Sequence, residues 1–112
     1  MHELSICTAI AGIVERHAAG RRVERICIDV GGFRQVVPET LAACWTIAVQ
    51  ETPLAGAALD VNHVPATIAC RACGHRTVLD QPVFRCGACA GRDVTVAAGD
   101  ELDITALVLQ EA

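Results

Sequence analysis

The chain has 112 residues, seven cysteines and a formal net charge of −4, and all nine of its cationic side chains are arginine. That length implies one domain, or one domain carrying a small insertion, which buries about two-thirds of its unfolded surface. Without lysine there is neither a P-loop lysine nor a Schiff base, and the acidic balance lacks the electrostatic footprint of a nucleic-acid binder.

No apolar run approaches the length needed to span a bilayer, and the N-terminus lacks a basic region followed by a hydrophobic core. A soluble, cytoplasmic protein with no membrane and no nucleic-acid partner is expected. In a reducing compartment, seven cysteines read as metal ligands and buried thiols, not as a disulfide framework.

Leu4, Cys7, Ala11, Val14 and Ala18 recur at three- and four-residue steps, with Ile6, Ile10 and Ile13 widening the apolar face. That period predicts a first helix, with Glu3 favourably placed in its first turn and Gly20 as its stop. From Val23 to Val30 the pattern alternates, Ile26, Ile28 and Val30 against Arg25, Cys27 and Asp29, and predicts a strand that Gly31-Gly32 breaks. Pro38-Glu39 opens a second helix, which carries Leu41, Cys44, Trp45, Ala48 and Val49 and ends near Thr52-Pro53. A second strand covers Ala58–Val64 and continues past Pro65 towards Cys70, where the proline disfavours an interior, fully paired strand. Cys7, Cys27 and Cys44 are read as small buried hydrophobes, and His17 and His63 as surface or partly buried residues.

Two Cys-x-x-Cys pairs follow, Cys70/Cys73 and Cys86/Cys89, separated by twelve residues. Each pair lets two thiolates converge on one ion, and the segment between them can fold back as a hairpin. Four thiolates in a tetrahedron suit zinc, with Zn–S bonds of about 2.3 Å, and the spacing lies close to the pattern of a four-cysteine zinc site. Gly74 and Gly87 fit knuckle positions where positive φ is needed. A rubredoxin-like iron centre, a redox dithiol and disulfides are the competing readings; structural zinc is favoured. Such a site is closed, with no position left for a substrate. His75 reads as a surface residue or a neighbour of the sulfurs, and Arg71, Arg76, Arg85 and Arg92 as a balance for the charge of a zinc tetrathiolate.

Val94–Val96 and Gly99 lead to a last strand over 101–109, with Leu102, Ile104, Ala106 and Val108 on one face. The expected fold is α+β: two helices with a three-stranded mixed sheet, plus an inserted four-cysteine zinc ribbon. The expected boundaries are 1–69 with 99–112 for the αβ domain and 70–98 for the ribbon. No nucleophile–base pair or open catalytic metal is visible, so an enzyme is not expected.

The other chemical feature is the terminus. A retained Met1 amine, the His2 imidazole and intervening amide nitrogens chelate a metal together, with Glu3 as a fourth donor, and nitrogen donors in a plane suit Ni(II) or Cu(II). The first N–H groups of a helix have no intrahelical acceptor, so ligation there breaks no helix bond. On these residues alone a solvated histidine is the weightier reading.

Read together, Met1-His2-Glu3-Leu4-Ser5, Pro38-Glu39-Thr40-Leu41, the two cysteine pairs and Gly99-Asp100-Glu101-Leu102 resemble the HypA/HybF family of nickel metallochaperones for [NiFe]-hydrogenase maturation. The resemblance covers essentially the whole chain. It implies a transported Ni(2+) at Met1, His2 and Glu3, and a structural Zn(2+) held by Cys70, Cys73, Cys86 and Cys89. It also implies a HypB-type GTPase and a hydrogenase large-subunit precursor as partners, with urease maturation proteins as partners in some organisms, and a monomer or homodimer. Two departures stand out: no proline follows Cys86 in the second knuckle, and only His75 flanks the cysteines. The competing reading is a zinc-ribbon protein- or nucleic-acid-interaction module with an incidental His2.

Overall fold

The computed structural model describes residues 2–110. Helix α1 spans His2–Ala18, strand β1 Val23–Gly31, helix α2 Pro38–Ala48 and strand β2 Ala58–Val64. They are followed by β3 (Thr67–Cys70), β4 (Arg76–Val78), β5 (Val94–Ala98) and β6 (Leu102–Leu109). Two three-stranded sheets result, one in the order β2-β1-β6 and one in the order β4-β3-β5. In the first, Gly31 N–H donates to Glu101 O at 2.7 Å and Gln110 N–H to Arg22 O at 2.8 Å, so β6 runs antiparallel to β1. The sheet is mixed, as expected.

The chain divides into two compact units, and passes between them four times. Unit one takes the chain through Ile28, then Val36–Asn62, then the segment from Asp103 onward; unit two takes Asp29–Gln35 and His63–Leu102.

Unit one is built from the two helices. On α1 the buried residues are Cys7, Ile10, Ala11, Val14 and Ala18, spaced to fall on one stripe. The predicted face was wider: Leu4 and Ile13 are 36% and 39% exposed, because they sit to either side of that stripe. Ala19 and Gly20, at φ 51 and 87, turn the chain out of the helix. On α2 Leu41 and Trp45 are buried, one turn apart, and the Trp45 indole donates to Ala57 O at 3.0 Å. Pro38 stands in the first turn of α2, as read. Helix α2 stops at Ala48, before the expected Thr52-Pro53, with Val49 as its C-cap and still buried. Cys7 is fully buried, and its thiol donates to Leu41 O at 3.5 Å. Burial, then Cys44, then Glu3 push that thiol up to about 11, so it stays neutral and packs as a small apolar group. Cys27 and Cys44 are half-buried.

Two strands depart from their expected course. The strand entered at Ala58 ends at Val64, and after Pro65-Ala66 the chain restarts as β3 in the other sheet. A proline has no N–H for a ladder, which is why the break falls there. In β6 the alternation slips: Leu102 and Ile104 are the covered positions first, then Leu107 and Leu109, while Ala106 and Val108 are exposed. The burial of β1 also loses its alternation, between Val23 and Ile26.

Unit two has a small core. Its buried apolar side chains among the described residues are Val30, Ala66, Ile68, Cys70 and Cys86. Strand β3 pairs antiparallel with β4 on one side and β5 on the other. Phe33 and Phe84 stack with ring centroids 5.6 Å apart. Three backbone segments meet without side chains between them. A Cβ on Gly31 would lie 1.9 Å from Gly99 O, and one on Gly99, at φ +101, would lie 2.4 Å from Ala66 Cα. Phe33 N–H donates to Gly99 O at 2.8 Å across this crossing. Gly31 therefore ends β1 as a packing element, in addition to breaking its pattern.

Candidate metal centre

Strand β3 delivers Cys70 at its last residue, and the chain then folds into a tight turn. Gly74 N–H donates to Cys70 O, and Cys70 N–H to His75 O, both at 2.9 Å. The second knuckle repeats this geometry: Ala90 N–H donates to Cys86 O at 3.0 Å and Cys86 N–H to Gly91 O at 2.8 Å. Gly74 takes φ 78, as read from the sequence, but the matching residue of the second knuckle is Ala90, at φ 60. Gly87 was expected to hold that position and does not. It lies close to Thr77 instead, donating its N–H to Thr77 Oγ1 at 2.9 Å. Left-handed backbone at an alanine costs about 1 kcal/mol, which the second knuckle bears without a glycine.

The turns bring all four sulfurs within 4.8 Å of one another. Cys70 Sγ is 3.7 Å from Cys89 Sγ, and Cys73 Sγ is 3.5 Å from Cys86 Sγ. A tetrahedral ion with Zn–S bonds of about 2.3 Å needs sulfurs roughly 3.8 Å apart, so the cluster fits zinc, and these separations are far too long for disulfides. The four cysteines form this cluster alone among the described residues; no histidine joins it.

The sulfurs are not equivalent. Cys70 and Cys86 are 4% and 2% exposed, whereas Cys73 and Cys89 are exposed. The Cys86 sulfur accepts the N–H groups of Ala88 at 3.4 Å and Cys89 at 3.5 Å. Those two donors, Cys89 ahead of Ala88, bring its thiol down to about 6. At Cys73 the His75 N–H pulls the thiol down, but Cys86, burial, Cys70 and Cys89 together push it up, and the net is a rise to about 12. Cys70 is lowered by the N–H groups of Cys73 and Ala72. Such a set loses its remaining protons when a metal binds, so its affinity falls in acid.

Arg71 pairs with Asp93 at 3.4 Å, and both are exposed. That contact is a surface ion pair beside the centre.

At the other candidate site, Met1 lies outside the described residues. His2 opens α1 with its side chain 52% exposed, and its Nε2 is 3.6 Å from Glu3 Oε2. The Glu3 side chain is only 12% exposed, and its Oε2 accepts the Val37 N–H at 3.4 Å. Val37 is the N-cap of α2 and has no side-chain cap, and the Glu3 carboxylate satisfies its backbone N–H as the reciprocal acid of a capping box would. Sequence reasoning missed this partner because a backbone N–H leaves no mark in the sequence. The Glu3 carboxyl titrates below its ordinary 4.5 through its own backbone N–H, then through the Val37 N–H and His2, against some burial. Its contribution to stability is therefore present above that value and fades as pH falls through the folded value. Glu3→Ala is expected to lower the denaturation midpoint slightly near neutral pH and not at all in strong acid, as read by chemical denaturation at both pH values.

With this geometry in hand, comparison with known proteins is decisive. The model of the HypA family, described as hydrogenase/urease nickel incorporation, metallochaperone, matches residues 1–109. The chain belongs to the HypA family. It is 37% identical over 115 residues to the hydrogenase maturation factor HypA of Desulfosudis oleivorans, covering 99% of this chain and 100% of that one. To HypA of a Nostoc species it is 34% identical over 111 residues, covering 99% and 97%. The solution structure of the Ni metallochaperone HypA from Helicobacter pylori shares the fold, with a TM-score of 0.65 at 19% identity over 96% of each chain. A second solution structure of a HypA protein gives 0.68 at 20% identity, covering 98% of this chain and 97% of that one.

Proposed function

We propose that this chain binds Ni(II) through Met1, His2 and Glu3 and delivers it for [NiFe]-hydrogenase maturation, as a nickel metallochaperone of the HypA family. In this reading Cys70, Cys73, Cys86 and Cys89 hold a structural zinc whose tetrahedron is closed to substrate, and the protein is a carrier, not an enzyme. Residues 1–69 and 99–112 form the nickel-handling part and 70–98 the zinc ribbon. The partners are a HypB-type GTPase and the hydrogenase large-subunit precursor, with urease maturation proteins as further recipients, and the setting is cytoplasmic. Among the described residues no helix is long and apolar enough to cross a membrane.

The observation that carries the reading is the exposed His2 imidazole at the start of α1 in a chain of this family. Because the Glu3 carboxylate is drawn to Val37, the Glu3 amide nitrogen is the donor that costs the fold least. An exposed site with few anchoring side chains suits delivery, since a receiving protein reaches the ion as readily as solvent does.

The test is a Ni(II) titration of the untagged, zinc-loaded chain beside His2→Ala, with zinc content followed throughout. The native chain is expected to take up one nickel and keep its zinc. The variant is expected to lose about 100-fold in affinity, ~2.7 kcal/mol. Equal binding by both, or binding only as zinc leaves, would remove the N-terminal site from the account.

A further inference from the structure

The zinc reading treats four thiolates as one closed unit, yet the two knuckles build them in two kinds. Each knuckle contributes one buried sulfur, Cys70 or Cys86, and one exposed sulfur, Cys73 or Cys89. The buried Cys86 sulfur also accepts two backbone N–H groups, from Ala88 at 3.4 Å and from Cys89 at 3.5 Å. Gly91 leaves one side of the Cys89 sulfur bare, since a Cβ there would stand 3.1 Å from Cys89 Sγ.

A zinc-bound thiolate remains a nucleophile, and two things decide which of four reacts. Hydrogen bonds draw electron density from the sulfur, and burial blocks the line of approach. Burial acts here against Cys70 and Cys86 and leaves Cys73 and Cys89 open, and at Cys86 the two N–H groups act in the same direction.

We infer that Cys73 and Cys89 are a modification site for soft electrophiles, the reactive edge through which this zinc centre is opened. The sulfur lone pair of either residue forms a C–S bond to an activated alkene, the alkene π pair becomes an enolate, and the enolate takes a proton from water. The product is a neutral thioether, a far weaker ligand than a thiolate, so its bond to zinc is lost. With both modified, Cys70 and Cys86 alone would remain to hold a zinc ion, and a chelator in solution would take it. No electrons are exchanged with an outside partner. The twofold likeness of the knuckles gives this edge its shape, because the second cysteine of each pair faces outward in both.

The experiment uses the reduced, full-length chain at one zinc per chain, treated with N-ethylmaleimide in a time course that runs from single-hit conditions to two adducts per chain. Adducts are mapped by peptide mass spectrometry, and a chromogenic chelator follows zinc. Adducts on Cys7, Cys27 and Cys44 are scored apart as references outside the centre. Within the cluster, Cys73 and Cys89 are expected to carry adducts at least about tenfold more often than Cys70 and Cys86, and zinc release is expected to follow their modification. Equal labelling of the four, first labelling at Cys70 or Cys86, or zinc release ahead of any adduct would each overturn the inference. None of these outcomes bears on nickel at His2, which is tested separately.

Discussion

Cys86→Ala is expected to lose zinc and the ordered structure of unit two, while unit one stays largely folded. The small unit has Val30, Ala66 and Ile68 as its buried apolar side chains besides two of the cysteines themselves, which is too little to offset the ordering of its backbone. A structural zinc contributes an apparent 10–16 kcal/mol, on the order measured for small zinc modules, so its loss exceeds the narrow net stability that a unit this small can have. Unit one has its own core of Cys7, Val14, Ile26, Ile28, Leu41 and Leu54. Trp45, the one tryptophan, is buried within it and reports on that core alone. The check is tryptophan fluorescence and helical circular dichroism, which should persist, beside amide resonances of 63–102, which should collapse. Removing zinc with a chelator should reproduce the variant. Simultaneous loss of the Trp45 signal would mean that the two units do not stand apart energetically.

Gly99→Ala and Gly31→Ala should be nearly as damaging, for a different reason. A methyl on Gly99 meets Ala66 Cα at 2.4 Å, and one on Gly31 meets Gly99 O at 1.9 Å. In both cases the obstacle is backbone, which cannot rotate aside. Gly99 also sits at φ +101, where a side chain is strained in any surroundings. Each substitution is expected to cost about 3 kcal/mol or more in denaturant unfolding of the zinc-loaded protein. Since the two residues touch, the double variant should cost less than the sum of the singles. Gly20→Ala and Gly56→Ala serve as controls: both glycines have positive φ but nothing within 4 Å, so about 1 kcal/mol is expected from each. If Gly99→Ala proved as mild as these controls, the crossing would not be as tight as described.

Much of this was legible in the sequence, and the pattern of successes has a physical cause. Helices α1 and α2 and strand β1 announce themselves by local period, and the cysteine pairs by local spacing, so each needs only neighbours in sequence. Pro38 opened α2 for a reason that is also local. What escaped was long-range. The crossing of Gly31, Ala66 and Gly99 involves three segments far apart in the chain, and glycine in a sequence looks like a turn whether it turns or packs. Glu3 was read as a first-turn acid of α1 and turned out to serve α2 as well, through Val37. The stack of Phe33 on Phe84 likewise joins residues that no short pattern connects. The second knuckle misled in a smaller way, since Gly87 drew attention from Ala90, where the left-handed backbone lies.

The pairing of β1 with β6 has a consequence for the order of events during synthesis. One edge of the first sheet is supplied by the last strand to be made, so β1 waits for its neighbour until the cysteine segment has emerged. Within that segment Thr67 lies opposite Ala98, which brings the two ends of the intervening chain to strand-pair distance once the segment has folded. Once β2 has paired with β1, a folded segment thus shortens the loop between β2 and β6 from several tens of residues to roughly ten or fewer, which is worth about 1.5 kcal/mol in closure entropy. Zinc captured by the nascent chain therefore hastens the docking of a strand that contributes no ligand to it, and a cell short of zinc leaves one edge of β1 open for longer.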